Sequence, residues 1–163
     1  MTITPVPVDE AVPGPRPGDA GDDALLALYR QMVRVRAFEE EVIDAFGKGL
    51  VPGSTHPCIG AEGIKAGALA TLRPDDLVFA TYRGHGEALI KGVDPVSIMA
   101  EVMGRATGVC KGKGGSMHLS EPAVGLVSTN AIVAGVARPG TRDGFVDGHR
   151  GDGHAEPPGS SAS

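Results

Sequence analysis

Leu77-Val78-Phe79-Ala80 is an apolar run that stops at a polar turn, Thr81-Tyr82-Arg83-Gly84-His85-Gly86, and continues as Glu87-Ala88-Leu89-Ile90-Lys91-Gly92. A short apolar run bounded in this way reads as a buried strand, and the segment after the turn as a short helix. Few arrangements satisfy a strand that feeds a helix, and the chief one is an open α/β sheet. Ligands of such sheets sit outside the carboxyl ends of the strands. Here that position carries a phenol (Tyr82), a guanidinium (Arg83) and an imidazole (His85). Arg83 offers a rigid fork of donors suited to phosphate or carboxylate. Gly84 and Gly86 allow backbone and ligand to approach closely. The local pattern therefore predicts an anion site at a strand-to-helix turn. A polar surface turn with a solvated histidine is the alternative it leaves open.

Length and charge narrow the class. A chain of 163 residues suits one domain. Aromatic residues make up 4% and Trp is absent, so the core must rest on Leu, Val, Ile, Ala and Met. The net charge of -5 argues against a nucleic-acid binder. No apolar run has the length of a membrane span. The first residues lack the basic start and apolar stretch of a signal peptide, and the Arg content of a transit peptide. Cys58 and Cys110 fit no metal-binding spacing. A reduced, cytoplasmic setting is expected.

Taken in order, residues 1–21 hold five prolines and no period, and read as a disordered arm. Asp22 and Asp23 then open a long helix, where an acidic pair suits the positive end of the dipole. Leu25, Leu28, Met32, Val35, Val42 and Phe46 mark its apolar stripe, with Tyr29, Phe38 and Ile43 widening it. Arg36 and Glu40 are spaced to pair on a charged outer face, and Gly47 and Gly49 end the helix. A loop holding Pro52, Gly53, His56 and Pro57 leads to a second helix over about residues 60–72. Its three glycines suggest that something approaches the helix axis closely. After a turn at residues 73–76 come the strand and the central motif. Asp94 and Pro95 start another helix as N-cap and first helical residue, with Val96, Met99, Val102 and Met103 as its buried face.

Residues 104–118 form a second unusual stretch, Gly-Arg-Ala-Thr-Gly-Val-Cys-Lys-Gly-Lys-Gly-Gly-Ser-Met-His. It looks like a phosphate cradle, but Gly108 and the Gly112-Lys113 pair stand one residue too close for the P-loop pattern, and Gly114 replaces the Ser or Thr. The P-loop reading fails, and with it the case for a generic phosphate-binding domain. A mobile basic loop is the alternative from local pattern. Residues 124–133 are again apolar, ending in Asn130-Ala131-Ile132-Val133-Ala134-Gly135. Residues 136–163 have no amphipathic period and read as disordered. The Arg150-Gly151-Asp152 triplet in that tail reads as chance.

Tyr82-Arg83-Gly84-His85-Gly86, the Gly-Lys-Gly-Gly-Ser-Met-His ending at His118, residues 53–62 with His56, and residues 130–135 occur in register. Together they resemble the alpha subunit of the thiamine-diphosphate-dependent 2-oxo acid dehydrogenases: pyruvate, branched-chain 2-oxo acid and acetoin dehydrogenases. The likeness runs over residues 25–135 and leans towards the acetoin and bacterial pyruvate members. It implies the N-terminal part of a doubly wound parallel-sheet fold that binds thiamine diphosphate. Tyr82 and Arg83 would hold the diphosphate of that cofactor. Ala131 and Val133 match positions lying against its aminopyrimidine and its bend. His56 matches a substrate-side histidine and is carried with His85 as a catalytic candidate, while His118 shares their neighbourhood near the active-site entrance. The chemistry implied is decarboxylation of a 2-oxo acid, or cleavage of acetoin, with the acyl group passed to lipoamide on a partner acyltransferase. The site would lie between this chain and a beta subunit in a heterotetramer.

Family chains continue well beyond residue 135 and later supply an Asp and an Asn for Mg2+, an ion that takes oxygen ligands. Gly151-Asp152-Gly153 occurs here without a preceding apolar strand, and no Asn follows Asn130, so no metal ligand is assigned. The expectation is a family domain over residues 22–135, truncated or shifted in reading frame near Gly135, with a non-family tail. Such a chain is expected to be inactive alone and to leave an open sheet edge. The alternative function is a non-catalytic remnant that only docks on a beta subunit.

Overall fold

The computed structural model describes residues 21–73, 75–132 and 146–147. The N-terminal arm, most of the tail, Val133 and the Gly151-Asp152-Gly153 triplet lie outside the described residues. The elements follow in the order α1 (Asp22–Gly47), α2 (Glu62–Leu69), β1 (Leu77–Thr81), α3 (His85–Lys91), α4 (Pro95–Val102), a 3-10 turn (Pro122–Val124), β2 (Leu126–Asn130) and β3 (Val146–Asp147). This is an α/β arrangement around a small sheet of order β2-β1-β3. β1 and β2 run parallel, with Ala80 opposite Thr129 and Thr81 opposite Asn130, and β3 joins β1 antiparallel at Leu77 and Val78.

The core gathers Val35, Phe38 and Val42 of α1, Val78 and Ala80 of β1, Leu89 of α3, Ile98 of α4 and Leu126 of β2. α1 begins with Asp22 and Asp23 in its first turn. It ends as expected: Gly49 adopts φ +71°, and the Leu50 N–H closes on the Ala45 carbonyl at 3.0 Å. Its buried stripe is narrower than the sequence suggests. Tyr29, Ile43 and Phe46 are exposed, and the inward face is Val35, Phe38, Glu39, Val42 and Ala45. Arg36 does not pair with Glu40; its Nε reaches Glu62 of α2 at 2.6 Å, because α2 packs alongside and offers a nearly buried carboxylate.

α2 is shorter than expected. Gly60 lies in a turn at φ +91°, Gly63 faces Met32, and Gly67 has nothing within 4 Å. Only Gly63 therefore answers to a close neighbour. α4 starts at the expected cap, with the Asp94 carboxylate accepting the Ser97 N–H at 3.0 Å. That start sets a phase in which Ile98, Glu101 and Val102 point inward, while Val96 is 72% exposed. The outer edge of β2 is not open. Residues 119–121 run along it, with the Thr129 N–H on the Leu119 carbonyl and an antiparallel bridge between Glu121 and Leu126. Among the described residues no helix is long and apolar enough to cross a membrane.

Candidate functional site

β1 delivers Tyr82, Arg83 and Gly84 as the turn into α3. Its backbone is anchored from below. Lys65 of α2 donates from Nζ to the Arg83 carbonyl at 2.9 Å and to the Glu87 carboxylate, and both partners of that ion pair are buried. The glycines answer to this packing. A Cβ at Gly84 would fall on the Thr129 side chain, and one at Gly86 would meet Lys65 and lie 3.2 Å from Cys58 Sγ.

Tyr82 and Arg83 share one side of the turn. The Arg83 guanidinium carbon lies 5.4 Å from the Tyr82 ring centroid. The His56 ring meets the same tyrosine edge-on, with centroids 5.2 Å apart and planes at 85°. Arg83 also donates to the Pro57 carbonyl, which ties the 52–57 loop to the turn. The guanidinium is exposed, whereas His56 and Tyr82 are half-buried. His56 Nδ1 is shut off from solvent and has no hydrogen-bond partner. An orphaned buried polar atom costs about 1–3 kcal/mol. An exposed guanidinium, a phenol and an imidazole nitrogen lacking a partner together fit a polar, anionic ligand.

Ala131 is exposed and stands one residue past Asn130, which pairs with Thr81. Ala131 and Tyr82 thus each follow the ends of neighbouring parallel strands, at the same sheet edge. Val133 lies outside the described residues. An apolar cleft of about 530 Å³ lies between α1 and α4 against Phe38, Val96 and Met99, and Tyr82 and Arg83 take no part in it.

His85 occupies a different environment from His56. It has no exposed surface. Its Nδ1 lies 3.0 Å from Glu39 Oε2, and its Nε2 lies 3.0 Å from the Ser116 carbonyl and 3.1 Å from Ser116 Oγ. Glu39 also accepts the Cys58 N–H at 3.0 Å. Burial resists ionisation of Glu39, but the hydrogen bond and charge of His85, together with Cys58, outweigh it and hold the carboxyl below its ordinary range. Burial, with Glu39 beside it, pushes the Cys58 thiol up. His85 therefore joins α1, α3 and the glycine-rich loop rather than facing the open side of the turn.

The glycine-rich stretch is ordered around a carboxylate of the protein itself. Backbone N–H groups of Cys110, Gly112, Gly114 and Gly115 all donate to Glu101. The cradle is thus filled by a carboxylate of the same chain. His118 at its end is exposed. Glu39, Lys65, Glu87, Glu101 and Ser116 are the residues that sequence reasoning missed. Glu39 falls in phase with Val35 and Val42, and Glu101 likewise between Ile98 and Val102. That phase was the available signal. Among the described residues no group of three or more His, Cys, Asp or Glu is placed to hold a metal ion.

Comparison with known proteins adds relatives to this geometry. The profile of the dehydrogenase E1 component family matches residues 30–153, running past the boundary expected near Gly135. The chain is 41% identical over 114 residues to the alpha subunit of acetoin:2,6-dichlorophenolindophenol oxidoreductase from Bacillus subtilis, covering 70% of this chain and 34% of that protein. It is 42% identical over 111 residues to the protein of the same name from Cupriavidus necator, covering 68% and 33%. It is 38% identical over 149 residues to the pyruvate dehydrogenase E1 component subunit alpha of Zymomonas mobilis, covering 91% and 42%. The chain thus spans between a third and under a half of the length of these curated relatives.

Proposed function

The chain belongs to the dehydrogenase E1 component family, and from that premise we propose that it is alpha-subunit sequence of the thiamine-diphosphate-dependent component of a pyruvate or acetoin dehydrogenase. In this reading Tyr82 and Arg83 hold the diphosphate of thiamine diphosphate. The observation that carries it is the cluster of Arg83, Tyr82 and His56 at the carboxyl end of β1, with the guanidinium exposed and His56 Nδ1 unpartnered. When bound, thiamine diphosphate supplies the carbanion chemistry that decarboxylates a 2-oxo acid.

The residues of this chain bind and orient. Arg83 presents its free donors to the diphosphate while its contact with Pro57 fixes the fork. Tyr82 stacks beneath that fork and offers its hydroxyl. Ala131 borders the same edge with a small side chain that lets a ring approach. His56 faces the substrate side and offers Nδ1 to a polar group there. His85, sealed from solvent, holds the loop that carries Ser116 rather than exchanging protons with substrate. A beta subunit would complete the site, and a lipoyl-bearing acyltransferase would be the partner that takes the acyl group.

Titration of thiamine diphosphate with magnesium into the full chain and its beta subunit tests this. Arg83→Ala should weaken binding about 10- to 100-fold, the loss of one or two charge-assisted hydrogen bonds. Equal affinity in wild type and Arg83→Ala would overturn the diphosphate assignment. No binding at all with the beta subunit present would leave the docking-only remnant as the better account.

A further inference from the structure

Glu101 lies in the last turn of α4 with no exposed surface. The negative end of a helix is an unfavourable place for a carboxylate, and burial adds to the cost. Four backbone donors offset both. Oε2 accepts from Cys110 at 2.8 Å and Gly112 at 2.7 Å, and Oε1 from Gly114 at 2.7 Å and Gly115 at 3.2 Å. N–H groups of a loop converging on one anion form a nest. The glycines fit that purpose. A Cβ at Gly108 would lie 2.6 Å from the Glu101 nitrogen, and Gly112 adopts φ +75° with its Cβ position 2.7 Å from Gly104.

The next residue along is Ser116. Its Oγ accepts the His56 N–H at 3.0 Å and lies 3.4 Å from Thr55 Oγ1, while its carbonyl and hydroxyl face His85. We propose that Glu101 is the resident anion of this nest and a positioning residue for His56, because the loop closes on its carboxylate and Ser116 carries that shape to Thr55 and His56. This rests on the function proposed above only in taking His56 to face the substrate side.

Amide hydrogen exchange and the His56 imidazole NMR signal of the full chain test the proposal. In Glu101→Ala the nest is vacant. The amides of residues 110–116 should lose protection by about tenfold or more, and the His56 signal should move. Formate or acetate should restore both, and neutral formamide should not. Glu101→Gln, which matches the shape but sets an NH2 among donors, should lose protection as Glu101→Ala does, and serves if the alanine variant does not fold. Protection of the β1 amides should persist throughout and report a folded chain. Unchanged loop protection in Glu101→Gln, rescue by formamide as good as by formate, or a freed loop with an unmoved His56 signal would each overturn the proposal. Thiamine diphosphate binding with the Arg83→Ala control is measured separately, so failure of the cofactor reading leaves the outcome here intact.

Discussion

Gly86 has no room for a methyl group, since a Cβ there would press on Lys65 and sit 3.2 Å from Cys58 Sγ. Lys65 cannot swing aside cheaply, because its ammonium is bonded to the Arg83 carbonyl and the Glu87 carboxylate. Gly86→Ala should destabilise the chain by about 1–3 kcal/mol, the usual cost of overpacking, read as a lower urea midpoint. Gly67 is the contrasting case: a helical glycine with open space where its Cβ would be. Gly67→Ala should raise the midpoint, by roughly 0.5–1 kcal/mol at most. Cys58 is 1% exposed and its thiol is pushed up by burial. It should resist iodoacetamide in the folded protein and react once denaturant is added. Rapid alkylation of the native chain at Cys58 would contradict that packing.

Helix ends and helix pairs carry the next layer of predictions. Asp94 caps α4 through the Ser97 N–H, so Asp94→Ala should cost about 1 kcal/mol, measurable in the same urea experiment. α1 and α2 are clasped by Arg36 and Glu62, with the Glu62 carboxylate also accepting the Gly60 N–H. The Arg36 hydrogen bond is the main cause that brings the Glu62 carboxyl from 4.5 down to about 2. A carboxyl with a depressed pKa in the folded state takes up its proton first in the unfolded chain. Its stabilisation is therefore complete above about pH 4.5 and fades as pH falls towards about 2. Glu39 and Asp76 are shifted in the same direction, so the test is a difference. Glu62→Gln should show a shallower acid loss of stability than wild type over that window. Parallel acid limbs in the two proteins would show the clasp to be without effect.

At the scale of the whole molecule, three distant segments meet at His85. Glu39 reaches it from α1, Ser116 from the glycine-rich loop, and Cys58 shares Glu39 from the loop before α2. Removing one partner of a buried hydrogen-bonded pair leaves the other unsatisfied, which costs about 1–3 kcal/mol. Glu39→Leu should therefore lower the thermal midpoint far more than any single surface change, and a shift of a degree or so would show that the network carries little stability. A separate set of contacts holds the turn after β1 in shape. Lys65 grips it from α2, Arg83 reaches across to Pro57, and Thr129 of β2 closes over Gly84.

Local chemistry alone determined the strand at residues 77–80, the turn that follows it, the capped start of α4, the glycine stop of α1 and the placing of Tyr82 and Arg83 at a strand end. Each depends on neighbours a few positions away, where periodicity, capping and turn preferences act. The register of the family motifs was legible for the same reason. Tertiary structure decided which charges go inside. Glu39, Lys65, Glu87 and Glu101 look like surface residues until partners from other segments surround them, and a buried charge is stable only when such partners arrive. It also decided that the glycine-rich loop wraps a carboxylate of its own chain, since the anion that fills a nest cannot be read from the nest.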